Sequence, residues 1–326
     1  AMYYLGLIYY KNQYVKRDFD RAIYYLDKVA NTNNSYAQLF IGEMYECEEY
    51  HSFSINKAIK YYSLAADQNN DRALFNLGRI YEDGKHVKRD INKAMHYYSL
   101  SAQLNNSNAE LFLGLFYFKG QHVPRDITKA LHYFELSANH NNKCAQYNLA
   151  ILYERGKSIA FDIKKAILYY SLVGDANSCF HLGVIYHEGI HVERNESLAI
   201  RYYKHASSIN NNFAKNNLGV IYKSGANKNI PNAISYFTEA IKQKNDELAM
   251  YNLSLVLLNE CESFSRELNE PFKLLIELSL KEFMQPLFIL FLSLTNKFGR
   301  YDFSIFLTEI QKILKIPENW LFQKYR

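Results

Sequence analysis

Apolar and small residues recur along this chain at helical spacing, and the pattern repeats. A small residue, Leu, Gly and Tyr fall at i, i+4, i+5 and i+8, as in Ala73-Leu77-Gly78-Tyr81 and Ala109-Leu113-Gly114-Tyr117. The small residue, Leu and Tyr then lie on one stripe of an α-helix. The pattern starts at Ala1, Ala37, Ala73, Ala109, Ala145, Ser178, Ala214 and, in decayed form, Ala249, with steps of 36, 36, 36, 36, 33, 36 and 35 residues. A second predicted helix follows each first one and carries Ala-x-x-Tyr-Tyr, as in Ala58-Tyr61-Tyr62, Ala94-Tyr97-Tyr98, Ala130-Tyr133-Phe134, Ala166-Tyr169-Tyr170 and Ala199-Tyr202-Tyr203. Gly inside the first helix costs about 1 kcal/mol relative to Ala. It is expected where another helix comes close, with large rings of one helix against small residues of the other and the phenol tips reaching water or a partner.

The connections follow rules too. Asp18, Asp90, Asp126, Asp162 and Asn195 each stand four residues before the second helix's Ala, where an N-cap belongs. The second helices end at Asn69-Asn70, Asn105-Asn106, Asn141-Asn142 and Asn211-Asn212, and Asn tolerates the left-handed conformation of a helix C-terminus. The predicted fold class is all-α, an α-solenoid of about 36 residues per repeat over residues 1–258. Residues 259–326 drop the repeat and read as a divergent C-terminal helical cap or extension, with helices over 271–283, 286–297, 303–314 and 317–325. Ala1 opens directly at the first repeat column, so a longer parent protein is expected.

The stretch Ala73 to Ala102, with its recurring columns, resembles the Sel1-like repeat family, relatives of the tetratricopeptide repeats. The chain departs from the family pattern in having Tyr-Tyr where Trp-Tyr is usual. It also has Gly-x-His-Val (Gly84 to Val87, Gly120 to Val123, Gly189 to Val192) where the loop usually has Gly-x-Gly-Val. The resemblance implies a curved superhelix whose first helices line a concave face, used as a scaffold or adaptor for protein partners. Two alternatives come with it. One is an adaptor of endoplasmic-reticulum-associated degradation, resembling the lumenal partner of the degradation ubiquitin ligase. The other is a regulatory repeat array of a larger signalling protein, for example one with a kinase domain.

Composition narrows this little. The net charge of +5 over 326 residues, with no run of five like charges, is weak for a nucleic-acid binder. The longest apolar stretch, 286–294, is about half a membrane span, so no direct membrane insertion is expected. Cys47, Cys144, Cys179 and Cys261 lie far apart without a C-x-x-C, which points to reduced thiols and a cytoplasmic location. The endoplasmic reticulum lumen or its membrane stays as the alternative if the chain is a fragment of a secretory-pathway protein. Sequons at Asn33, Asn105, Asn195 and Asn252 are no more than 32 Asn produce by chance. The 29 Tyr are mostly repeat architecture, since 18 fall in three columns.

No nucleophile elbow, phosphate loop, zinc helix or dinucleotide fingerprint is present, so no enzyme, catalytic residue, cofactor or metal site is expected. His86, His122 and His191 share a column, yet sit in different repeats. A backbone role at positive φ is the expectation there, because non-Gly residues with that conformation are enriched in His. Arg17, Arg89, Arg125 and Arg194 form a loop ladder that either grips an acidic group or pairs locally. The candidate partner-binding residues lie in three first-helix columns. The position before the Leu holds Asn76, Phe112, Asn148, His181 and Asn217. Two residues past it lie Arg79, Leu115 and Ile151, and three further lie Glu82, Phe118 and Glu154. An Asn ladder suits an extended peptide because an amide both donates and accepts, and Leu115, Phe118 and Ile151 would give the groove an apolar middle.

Overall fold

The computed structural model describes residues 1–260 apart from Gln13, Asn245 and Asp246. The helices expected over 271–325 lie outside the described residues, as does the cap assignment. The described residues form fifteen α-helices and no strand, arranged in consecutive antiparallel pairs. They divide between two compact units. The first, Ala1–Val173, pairs α1 (Met2–Lys11) with α2 (Phe19–Ala30), α3 (Ser35–Glu46) with α4 (Ile55–Ala66), and α5 (Asp71–Asp83) with α6 (Ile91–Gln103). It continues with α7 (Ser107–Lys119) against α8 (Ile127–Asn139) and α9 (Lys143–Arg155) against α10 (Ile163–Val173). The second unit, from Gly174 onward, holds α11 (Ala176–Glu188) with α12 (Glu196–Ser208), α13 (Asn212–Ser224) with α14 (Ile230–Lys244), and α15 (Glu247–Glu260). Each unit is an α-solenoid of helix pairs.

Within a pair, contact centres on the glycine of the first helix. A Cβ built on Gly78 would lie 2.7 Å from two ring atoms of Tyr98, and one on Gly42 2.6 Å from the ring of Tyr62. The second ring of each Tyr-Tyr motif therefore lies flat against bare backbone. Tyr62, Tyr98, Tyr170, Tyr203, Phe134 and Phe237 are among the largest fully buried side chains. The expectation that these phenol tips reach water or a partner is corrected for Tyr62, Tyr98 and Tyr170. Their hydroxyls end on carboxylates of the same repeat, because a ring pressed on the glycine has its tip under the next turn of the first helix.

The first ring of each motif behaves differently. It stacks parallel on the tyrosine of the first helix in all seven repeats: Tyr9–Tyr25, Tyr45–Tyr61, Tyr81–Tyr97, Tyr117–Tyr133, Tyr153–Tyr169, Tyr186–Tyr202 and Tyr222–Tyr236. Centroids are 5.7 to 6.1 Å apart and planes lie within 15°. A cation then covers the first-helix ring, with Lys57 4.8 Å from the Tyr45 centroid, Lys93 5.0 Å from Tyr81, Lys129 5.2 Å from Tyr117 and Lys165 4.8 Å from Tyr153. Fourteen tyrosines are thus stacked in pairs, which is where much of the tyrosine surplus goes.

The expected N-caps form. Asp18, Asp90, Asp126, Asp162 and Asn195 accept from the amides of Arg21, Lys93, Lys129, Lys165 and Leu198 at 2.9–3.0 Å. The asparagine pairs divide their work between two residues. The first residue, Asn33, Asn69, Asn105, Asn141 or Asn210, is left-handed with φ of 56 to 64°. The second, Asn34, Asn70, Asn106, Asn142 or Asn211, caps the next helix through its Oδ1. The last pair is Asn210-Asn211, one residue earlier than the sequence reading placed it. The Nδ2 of Asn106 also donates to Asp71 at 2.7 Å, and that of Asn142 to Asn108 at 3.0 Å, 35 and 34 residues away. Asp could cap but not donate, so Asn is required for both tasks. At the 33-residue step, Gly174 (φ 63°) and Asp175, which accepts from the amide of Ser178 at 2.7 Å, repeat this chemistry after the shortened α10.

The glycine column yields a graded test. Gly78→Val places branched carbon inside the Tyr98 ring and is expected to cost about 3 kcal/mol by overpacking. Gly78→Ala should cost less than about 1 kcal/mol, because Ala150 occupies the same column fully buried in the fifth repeat and Ala regains helix propensity. Chemical denaturation of both variants checks the order; equal stabilities would contradict the close-approach account.

Candidate functional site

The eleven candidate residues are all half-buried on first helices. Nine belong to the first unit. His181 and Asn217 belong to the second, so they are not gathered with the rest. Within the first unit the columns turn out to serve different neighbours.

The column of Glu82 and Glu154 meets the buried ring of its own repeat, sixteen residues on. Tyr62 donates to Glu46 at 2.7 Å, Tyr98 to Glu82 at 2.6 Å and Tyr170 to Glu154 at 2.5 Å. Where the ring is Phe134 the partner is Phe118, 6.2 Å between centroids; where it is Tyr203 the partner is His187, edge-on at 6.1 Å. Tyr203 takes its hydrogen bond from the Nδ2 of Asn217 instead, at 3.1 Å. The acid faces the hydroxyls of Tyr62, Tyr98 and Tyr170 and a ring faces Phe134, while Tyr203, which keeps its hydroxyl, faces His187 and departs from this covariation. That covariation at sixteen residues is visible in the sequence, and it is the signal that a reading by groove columns alone passes over. Burial pushes the Tyr98 hydroxyl well above its ordinary value and the bond to Glu82 adds to it; burial and Glu46, and burial and Glu154, do the same to Tyr62 and Tyr170.

The N-terminal groove is charged, as its residues suggested, and its charges are largely paired inside the fold. Arg79 bonds Glu46, which also accepts from Tyr62. Arg72 bonds Glu43 at 2.9 Å while its guanidinium lies 5.7 Å from the centroid of Phe40, and Tyr10 donates to the other oxygen of Glu43 at 2.9 Å. Sequence reasoning had not singled out Arg72 or Tyr10; their 29- and 33-residue separations from Glu43 are the only trace. Further along the face, Phe112 packs on Phe75 and Tyr98, 5.5 and 5.4 Å between centroids, and Phe118 lies under Arg125 at 5.7 Å. Phe112, Leu115 and Phe116 with Glu82, Arg89, Lys119, Gln121 and His122 surround an open hollow.

The loop residues resolve differently from their expectation. His86, His122 and His191 do not have positive φ; the left-handed residue is the glycine two positions earlier, Gly84 with φ 66° in the first of these loops. That glycine closes the helix, which leaves the histidine free to lap the neighbouring repeat. His86 lies 3.0 Å from Glu48 and 4.9 Å from the Phe53 centroid, and His122 3.2 Å from Arg89. Arg89 and Arg125 donate through Nε to the carbonyls of Glu82 and Phe118, at 2.8 and 3.2 Å, so the arginine ladder pins the loops. Among the described residues no group of three or more His, Cys, Asp or Glu is placed to hold a metal ion, and no helix is long and apolar enough to cross a membrane.

Tyr98→Phe leaves Glu82 half-buried without its donor and is expected to cost about 1–2 kcal/mol. Adding Glu82→Phe recreates the Phe118–Phe134 pairing and should recover most of that loss; a double variant no more stable than Tyr98→Phe would contradict the pairing rule. Alkali gives an independent check. A phenol held above its unfolded value near 10 stabilises the fold fully below that pH, and the contribution is lost as pH rises beyond it. Stability should therefore fall above pH 10 less steeply in the double variant than in the wild type, as read from denaturation midpoints across pH 8–11.

The repeat has counterparts among known proteins. Residues 1–32, 35–70, 71–106, 107–142, 145–173, 176–211 and 213–245 match the Sel1 repeat. The fold resembles the crystal structure of c5321, a protective antigen of uropathogenic Escherichia coli with an SLR fold (TM-score 0.71, 26% identity, 85% of this chain). The match takes in 59% of that antigen, so this chain spans about three fifths of its length. A Sel1 repeat protein from Oxalobacter formigenes is similar over 75% of this chain and 100% of its own (TM-score 0.61, 27% identity). Comparison with the curated proteins gives no match. With seven matched segments spanning well over half its length, the chain belongs to the Sel1 repeat family.

Proposed function

We propose that this chain is a non-catalytic scaffold that holds a protein or peptide partner on the face lined by its first helices, centred in the first unit on Phe112, Leu115 and Ile151. The observation that carries this is the half-exposed apolar side chains around the open hollow, on a face whose N-terminal charges are already paired within the fold. Membership of the Sel1 repeat family, whose members commonly mediate protein interactions, supports the same reading.

Residues of this face are not equal as probes. Phe118 carries Phe134 and Glu154 carries Tyr170, so truncating either disturbs the pair behind it. Leu115 and Ile151 are better reporters. A photo-reactive phenylalanine placed at either position, in the cells that make the protein, should cross-link the same partner. The same residue at Lys60, exposed on a second helix, should not. Equal products from all three positions, or none from the first two, would overturn the groove assignment.

A further inference from the structure

The groove of the first unit contains an internal comparison. Between the second and third repeats, the carboxylate of Glu46 is satisfied twice, by the hydroxyl of Tyr62 and by the guanidinium of Arg79 from the next repeat. Beside it Arg72 bonds Glu43 while covering the Phe40 ring. Arginine on glutamate, with phenylalanine next to it, is how this chain fills that face.

One repeat later the glutamate and its tyrosine recur, as Glu82 and Tyr98, and the arginine does not. Glu82 stands in the column of Glu46 and accepts from Tyr98 through Oε2. Asn76 stands where Phe40 stood, and the aromatic ring beside Glu82 comes instead from the next first helix, where Phe112 packs on Tyr98 and lines the hollow. The column of Arg79 holds Leu115, which is shorter and uncharged. Among the described residues no cation pairs with Glu82, and the space where the guanidinium would lie is the hollow bounded by Glu82, Phe112, Leu115 and Phe116. Two cations stand at its rim. Arg89 is committed to the carbonyl of Glu82 and to His122, and Lys119 is exposed at the end of α7. The acid that is half-buried, rather than the exposed lysine, sets the preference, because a partly desolvated charge gains more from a partner than a solvated one.

We propose that this hollow takes an arginine side chain from a partner protein, which bonds Glu82 and lies against Phe112, supplying from outside the guanidinium that Arg79 provides one repeat earlier. The proposal rests on the scaffold reading and names what that face recognises.

Pools of immobilised dodecapeptides, each with one residue type fixed at the centre and the rest randomised, test it. The full chain should be retained by the Arg-fixed pool about fivefold more than by the Ala-fixed pool. Two variants should each remove that ratio while retaining a wild-type melting temperature. Glu82→Gln keeps an acceptor for Tyr98 and loses the charge. Leu115→Arg fills the hollow with the chain's own guanidinium, a change with a native precedent at Arg79. Pools retained equally whether Arg or Ala is fixed, or an Arg preference that survives in both variants, would overturn the arginine site and leave the scaffold reading in place. A preference for Asp- or Glu-fixed pools that disappears in Lys119→Ala would overturn it in favour of an acidic partner. Retention of no pool would count against both.

Discussion

The contact on which the rest of this fold depends is an aromatic ring resting on a glycine. Gly42, Gly78, Gly114, Gly183 and Gly219 each leave room for a ring that a Cβ would meet at 2.5–2.7 Å. Each glycine weakens its own helix by about 1 kcal/mol. Burial of a whole ring, on the order of 150–250 Å² of surface, offsets that cost. Other features follow from the short distance between the helices. Held this way, the hydroxyls of Tyr62, Tyr98 and Tyr170 end on acceptors of the first helix, Glu46, Glu82 and Glu154, and that of Tyr203 accepts from Asn217 of the next repeat. The neighbouring tyrosine is left at the edge of the pair, where it stacks on its counterpart and is covered by a lysine.

The second constraint is how one repeat hands the chain to the next. Two residues must end one helix and begin another. The first has to be left-handed and the second has to cap, and Asn serves in both places with little strain. Its amide then donates to the start of the preceding first helix, so a single side chain joins three segments. Gly174-Asp175 shows what happens when the step is three residues shorter: the left-handed residue and the cap remain, and the helix before them loses length.

These constraints decide which groove residues are available for recognition. Read as columns, Arg79, Glu82, Phe118 and Glu154 were equivalent candidates beside Asn76, Phe112, Leu115, Asn148 and Ile151. In three dimensions Arg79 is held by Glu46, Phe118 by Phe134 and Glu154 by Tyr170. Glu82 is held on one side only, and it borders the hollow. The histidines of the loops show the same limit. Composition favoured a left-handed backbone role, but Gly84 and its equivalents had already met that need two residues earlier.

By itself the sequence determined the helix pairs, their register, the caps and the all-α solenoid class. These rest on spacing along one chain: the 3.6-residue period, a side-chain oxygen at the N-cap, and a step of about 36 residues that brings like positions together. The tertiary structure decided which side chains of equal spacing are spent on each other and which face open space. A carboxylate in a first helix looks the same in the sequence whether it points at a buried hydroxyl, at the next repeat's arginine or at neither. That choice is made by distances between residues 16 to 36 apart in the chain, which only the packing of one helix on another sets.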